Sequence, residues 1–419
     1  MRLGLLALLL ALLAGCGGGD DGREVVRFWA MGREGEVVAE LVPEFERLHP
    51  NIRVEVQQIP WSSAHEKLLT AFAGDVTPDV AQLGSSWVPE LVALGALEPL
   101  DARLRASRSV DPRDYFAGGL GGNVIDGQTW AIPWYADTRL LFYRSDLLRE
   151  AGYAAPPTDW AGWLQAMRAV KARSPGNFAI FLPVNEYEPL LALALQQREP
   201  LLRDGGRYGN FRSPGFQRAS DFYLNLFREG LAPPLSNTQI SNLYDEFARG
   251  HFTFYITGPW NIGEFKRRLP PERQDDWMTA PLPGPTGPGA SIAGGSSLAV
   301  FARSERKDAA WRLVEFLSRP DIQLRFFALT GDLPARRSVW QSPLLAGDPY
   351  VVAFREQLER AVPPPAVPEW ERIGQQLRTV SERAVAGQIT PEQFRATLDA
   401  DTDRILERRR WMLDREARR

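Results

Sequence analysis

The hydrophobic period of the chain changes back and forth between Val25 and Trp87, and no other feature restricts the fold as much. Val25-Val26-Arg27-Phe28-Trp29 reads as a strand. Val37, Val38, Leu41, Val42, Phe45 and Leu48 follow at spacings of three and four, which is one face of a helix, and Pro50-Asn51 ends it. Ile52, Val54 and Val56 alternate as in a second strand. Leu68, Leu69, Phe72 and Ala73 share a second helical face. Thr77-Pro78-Asp79 is a turn, and residues 79–83 are short and apolar enough for a third strand. Gly84-Ser85-Ser86-Trp87 opens a further helix, with Ser85 or Ser86 placed to cap it. Repetition of β-α-β-α-β-α predicts a parallel, doubly wound sheet, and hence an α/β fold.

Beyond it, Trp130-Ala131-Ile132-Pro133-Trp134-Tyr135-Ala136-Asp137 leads into a strand at residues 140–143. The pattern then turns mostly helical, over 160–172, 214–228 and 243–249. Strands are expected at 251–257, 278–283 and 297–302, with a Gly/Pro loop over 283–295. Helices are expected at 308–318 and 321–329, and the charged tail from 349 reads helical. Trp87, Trp134-Tyr135 and Trp260 each follow a strand-like run or sit at a turn, where side chains project into a crevice.

Composition removes several kinds of chemistry. Net charge is −3 on 49 basic and 52 acidic residues, which gives no electrostatic case for nucleic acid. Arg408-Arg409-Arg410 lies among acids and reads as a solvated helix face. No Gly-Lys dipeptide exists, so no phosphate loop of the GxxxxGK[ST] kind is present. The three histidines, His49, His65 and His251, are far apart, with neither HExxH nor a GxSxG elbow. We therefore expect no metal and no cofactor; paired carboxylates for glycoside hydrolysis stay open among the 52 acids, but no pair stands out, so no catalytic residues are named and no enzyme activity is expected.

Cys16 is the sole cysteine. It follows Arg2, an apolar run over 3–13, and Leu13-Ala14-Gly15, the pattern of a bacterial lipobox. Residues 1–15 are expected to be a signal peptide. Cys16 would be acylated, and residues 16–22 would tether the folded part to a membrane outside the cytosol.

With those residues in place, the chain resembles the family 1 extracellular solute-binding proteins, the sugar receptors of bacterial ABC importers that include the maltose and trehalose binders. The carriers are the lipobox, Phe28-Trp29, Gly32-Arg33-Glu34-Gly35, and Phe45-Glu46-Arg47-Leu48-His49-Pro50-Asn51-Ile52. Thr77-Pro78-Asp79-Val80, Ile132-Pro133 with Tyr135 and Asp137, and Ile256-Thr257-Gly258-Pro259-Trp260 follow in the family's order. So do Gly294-Gly295-Ser296-Ser297-Leu298, the helix around Trp311, and Thr330-Gly331 with Leu333-Pro334-Ala335-Arg336. The resemblance implies a two-lobed periplasmic-binding-protein fold of type II, each lobe a sheet flanked by helices. One lobe would comprise 23–134 plus 290–335 and the other 138–289 plus 336–419, with crossings near Pro133–Asp137 and within 283–295. It also implies a monomer, ABC permease subunits as partners, a periplasmic or cell-surface location, and hinge closure on a mono- or oligosaccharide in the cleft.

A neutral sugar offers hydroxyls and apolar C–H faces, so its site needs flat aromatics and charged acceptors. Family position points to Trp260 and Tyr135 for the faces and to Glu34 and Asp137 for the hydroxyls. Gly294-Gly295-Ser296 would allow close backbone approach, and Arg336 follows the Gly331–Pro334 turn. Ser85-Ser86-Trp87 stands where maltose-type relatives often carry an acid, and Pro363-Pro364 where disaccharide binders often have Arg-Pro; Trp370 is a candidate to supply the lost contact by stacking. A maltose- or trehalose-type disaccharide is the expected ligand. A glycan-processing enzyme and a receptor for a charged solute, such as a polyamine or a glycerol phosphate compound, are the alternatives.

Overall fold

The computed structural model describes residues 22–416 and Arg418. Cys16, the signal peptide and most of the tether lie outside the described residues. β1 (Glu24–Met31), β2 (Ile52–Ile59) and β3 (Val80–Gly84) form where the alternating pattern places them. β1 pairs in parallel with β2, Glu24 opposite Ile52 through Met31 opposite Ile59, and in parallel with β3. Seven further strands build the two main sheets: β4 (Ile132–Asp137), β5 (Leu140–Arg144), β6 (Phe178–Phe181), β7 (Phe252–Thr257), β8 (Trp277–Ala280), β9 (Gly294–Val300) and β10 (Leu333–Pro334).

One sheet has the order β10-β4-β9-β3-β1-β2 and the other β8-β5-β7-β6. The first is mixed and not wholly parallel, because β9 runs antiparallel to both β3 and β4. The reason is connectivity. β1, β3 and β4 end at the gap between the lobes, whereas β9 arrives from the second lobe and starts there. The chain passes between sheets from β4 to β5, from β8 to β9, and again after β10, when helix Pro349–Leu358 packs back on the second sheet through Phe354 and Phe142, 6.2 Å apart. The first crossing falls at Thr138-Arg139, so Asp137 still belongs to the first sheet.

Each sheet is buried on both faces. In the first, Val26, Phe28, Trp134 and Leu298 face the helices at Lys307–Leu317 and Pro320–Thr330. Met31, Ala81, Leu83 and Ala299 face Leu68 and Leu91. In the second, Tyr143, Ile180 and Phe254 meet Trp163, Phe216 and Leu377, while Phe142, Phe181 and Tyr255 meet Phe265, Trp277 and Phe354. A double-faced core on each sheet makes two lobes, and one cluster bridges them where Ala136 and Leu333 of the first sheet meet the core around Phe142. Among the described residues no helix is long and apolar enough to cross a membrane.

Three expectations change. The helix drawn through Val37–Leu48 is two, Gly32–Val38 and Val42–Leu48, because Pro43 in the first turn of the second one cannot continue a preceding helix. Ser85 and Ser86 cap nothing. They form a single 3-10 turn, Ser85–Trp87, and the Ser85 hydroxyl donates to the Gly295 carbonyl at 3.1 Å. Trp134 is core and not crevice. It stacks on Phe326 at 4.4 Å between ring centroids and meets Phe28 edge-on at 5.9 Å, because strand alternation sends it to the helix-covered face.

Candidate functional site

The strand ends converge on a cleft of about 650 Å³ between the lobes, in the place open α/β sheets reserve for ligands. β1 delivers Glu34. After Met31 the chain turns at Gly32, whose φ is +49°, and Glu34 sits in the first turn of the short helix. A side chain at position 32 would collide with the Trp61 ring, its Cβ 2.8 Å from Cδ1. One Glu34 carboxylate oxygen accepts from the Tyr135 hydroxyl at 2.8 Å, and the other from the Trp61 indole N–H at 3.4 Å. Burial and the neighbouring Glu34 charge hold Tyr135 far above its ordinary pKa, so it stays a phenol and donates.

β4 places Asp137 two residues on, towards the same gap. Arg139 donates from Nη1 to both Asp137 oxygens, at 3.2 and 3.1 Å, and its Nη2 lies 3.7 Å from Glu188. Burial pushes the Asp137 carboxyl up and Arg139 opposes it. Asp332, in the loop before β10, is pushed up to about 7 by burial and by the Glu34 charge. At neutral pH it is therefore partly protonated and can donate as well as accept.

The aromatic side comes from several elements. Trp87 meets Trp61 edge-on at 5.6 Å. Trp260 opens the helix Trp260–Arg268 and is 46% exposed, with the Arg139 guanidinium 4.4 Å from its ring centroid. Gly258 lets the ring lie where it does, since a Cβ there would fall 2.0 Å from the indole and push it aside. At the entry to β9, Gly295 is constrained by the backbone itself. Gly295 has φ +110°, and a Cβ on it would sit 2.3 Å from the Tyr135 carbonyl oxygen.

Of the residues singled out from sequence, Glu34, Ser85, Ser86, Trp87, Tyr135, Asp137, Trp260, Gly294, Gly295 and Trp370 all lie on the cleft wall. Trp370 is only 1% exposed and belongs to the second lobe's core, so in this conformation it has no free face on which a sugar could stack. Ser296 faces away, fully buried, donating to the Leu83 carbonyl at 3.1 Å. Arg336 also lies elsewhere. Its Nε meets Asp114 at 2.7 Å, and Nη1 donates to the carbonyls of Ser109 and Ser318. It is a clasp inside the first lobe, placed there because β10 runs along the outer edge of the sheet.

Sequence reasoning missed Trp61, Arg139, Tyr187, Glu188, Asp332 and Glu371, all on the wall. Arg139 and Asp332 had signals, since they lie within or next to blocks already picked out. Tyr187 and Glu188 had none, because the loop before the helix Glu188–Leu195 enters the cleft only through tertiary folding. No group of three or more His, Cys, Asp or Glu among the described residues could hold a metal ion.

This arrangement of aromatic faces, charged acceptors and buried donors can bind a hydroxylated solute; nothing in it forms a nucleophile–base pair. A family model described as bacterial extracellular solute-binding protein matches residues 31–324. The solved structure of the sugar-binding protein MalE from the phytopathogen Xanthomonas citri is similar at a TM-score of 0.91, with 53% identity over 93% of this chain and 99% of that one. A Brucella abortus protein named as a binding protein is 26% identical over 97% of this chain and 98% of its own length. The diacetylchitobiose binding protein DasA of Streptomyces coelicolor is 23% identical over 88% of each. These relatives are binding proteins, not enzymes, and the Xanthomonas citri protein shares this chain's fold. The chain belongs to the family of bacterial extracellular solute-binding proteins.

Proposed function

We propose that the protein is the sugar receptor of an ABC importer, held at a membrane through acylated Cys16. It closes by hinge motion on a neutral oligosaccharide of the maltose or trehalose type and hands it to the permease. The observation that carries this reading is the cleft wall. It combines an exposed indole at Trp260 with a buried acceptor at Glu34 and a half-buried one at Asp137, and its volume lies within the usual range for small-ligand sites. Similarity to the Xanthomonas citri sugar-binding protein supports the ligand class, and a relative named for diacetylchitobiose supports the disaccharide size. An anionic ligand such as a glycerol phosphate compound is disfavoured, since the wall carries Glu34, Asp137, Glu188, Asp332 and Glu371 against Arg139 alone.

Thermal shift and titration calorimetry across mono-, di- and trisaccharides test the reading. A true ligand at about 100 times its Kd should stabilise the fold by about 2.7 kcal/mol and change the Trp260 fluorescence. A panel in which no saccharide raises the melting temperature would overturn it.

A further inference from the structure

Among the described residues lining the cleft, Arg139 is the one cation. It stands on the two-residue passage between β4 and β5, where the chain leaves one sheet for the other. Its surroundings form a cation site that is already filled. Nη1 donates to both oxygens of Asp137, at 3.2 and 3.1 Å, and Nη2 lies 3.7 Å from Glu188. The guanidinium carbon lies 4.4 Å from the centroid of the Trp260 ring. Two carboxylates beside an aromatic face are what a protein presents to an ammonium ligand. Here a side chain of the protein occupies that place, and it is only 17% exposed.

We propose that Arg139 is the specificity-determining residue of the cleft: a resident cation that fills the position an ammonium group would take among Asp137, Glu188 and Trp260, and so keeps an acid-rich site selective for neutral solutes. The inference rests on the neutral-sugar reading. A bound cation would have to displace Arg139 from its partners or sit against its like charge, and in a partly desolvated cleft both are costly. A neutral sugar meets no such barrier. It can use the exposed part of the Trp260 ring and the lone pairs of Asp137 that Arg139 leaves open, with both groups held in place. Arginine suits this position better than lysine. Its planar fork can grip a carboxylate while its flat face lies on an indole, and an ammonium cannot do both. At the start of the neighbouring strand of the same sheet, the raised Asp332 carboxyl trims the remaining negative charge near Glu34.

The test uses Arg139→Met, Arg139→Gln and Arg139→Lys in the full folded chain, with melting curves to establish folding. The probes are spermidine as a plain cation and maltose and trehalose as neutral disaccharides, followed by calorimetry and tryptophan fluorescence. The parent should reject spermidine. R139M and R139Q should gain spermidine affinity by about tenfold or more, since two unneutralised carboxylates then face the ligand, while R139K should not. All three should lose several-fold in neutral-sugar affinity. A purely structural role would lower stability and sugar affinity without changing the ratio of spermidine to sugar binding, and that result overturns the proposal. So does spermidine binding by the parent, which can be read even if the neutral variants fail to fold. If the parent binds neither disaccharide but still rejects spermidine, and R139M or R139Q gains it, the maltose and trehalose reading falls and the cation filter stands.

Discussion

Trp260 and Asp332 show how different the demands on single cleft residues are. Trp260 is half-exposed, so folding gains little from it and a ligand can gain much. Trp260→Ala should weaken saccharide binding by about 2–4 kcal/mol, the loss expected when an anchoring aromatic is truncated, with a nearly unchanged ligand-free melting temperature. Calorimetry against a melting curve separates the two effects, and an unfolded variant would mean that Trp260 is core. Asp332 behaves in the opposite sense. Its carboxyl is raised from 3.8 to about 7 in the folded protein, so ionising it opposes folding. The parent is therefore favoured below about pH 4 and loses stability as the pH rises through about 7. Asp332→Asn, neutral at every pH, should match the parent at pH 4 and exceed it at pH 8 by on the order of 2–4 kcal/mol. Urea midpoints at both pH values check the sign; equal stability at pH 8 would show that Asp332 is not strained.

The clasp around Arg336 belongs to the scale of elements. It joins three pieces of the first lobe: the loop at Ser109–Asp114, the end of helix Lys307–Leu317 at Ser318, and the chain leaving β10. Burial would push Asp114 up, but hydrogen bonds from Ser338 and Arg336 hold it below its ordinary value. Arg336→Met leaves that carboxylate without its cation and should cost about 2–4 kcal/mol in denaturant unfolding. Ligand affinity, measured below the new melting temperature, should not change, because Arg336 is absent from the cleft wall; a large affinity loss would return it to the site. The helices on either side of Ala39 carry a similar lesson. A continuous apolar stripe from Val37 to Leu48 is visible in the sequence, yet Pro43 divides it, and the division lets the first short helix turn Glu34 into the gap.

At the scale of the whole molecule, two lobes are joined by three passages of chain, and the short one at Thr138-Arg139 runs through the binding cleft itself. Hinge closure is the motion such connections allow. The expected tether, residues 16–22, reaches at most about 25 Å when fully extended, so an acylated chain would patrol a thin layer above the membrane. Cys16→Ala should release the protein from the membrane fraction or block its processing; unchanged fractionation and electrophoretic mobility would exclude lipid anchoring.

By itself the sequence determined what depends on neighbours along the chain. Hydrophobic periods located β1, β2, β3, β5 and β7 and the helices expected at 160–172, 214–228, 308–318 and 321–329 to within a few residues, because a strand or helix face is a local pattern. The resemblance to a known family, carried by short blocks in order along the chain, marked Glu34, Asp137, Trp260 and Gly294-Gly295 before any contact was known. What only the tertiary structure decided depends on neighbours in space. The direction of β9 follows from the lobe the chain has just left. Trp134 goes to the core and Tyr135 to the cleft because one face of β4 is covered by helices. Arg336 is a clasp because β10 lies at the sheet's edge. Arg139 acquires a role only when Glu188 and Trp260, about 50 and 120 residues further along, are brought to its side. Such contacts leave no period in the sequence, since the energy that forms them comes from burial and charge pairing across the fold and not along it.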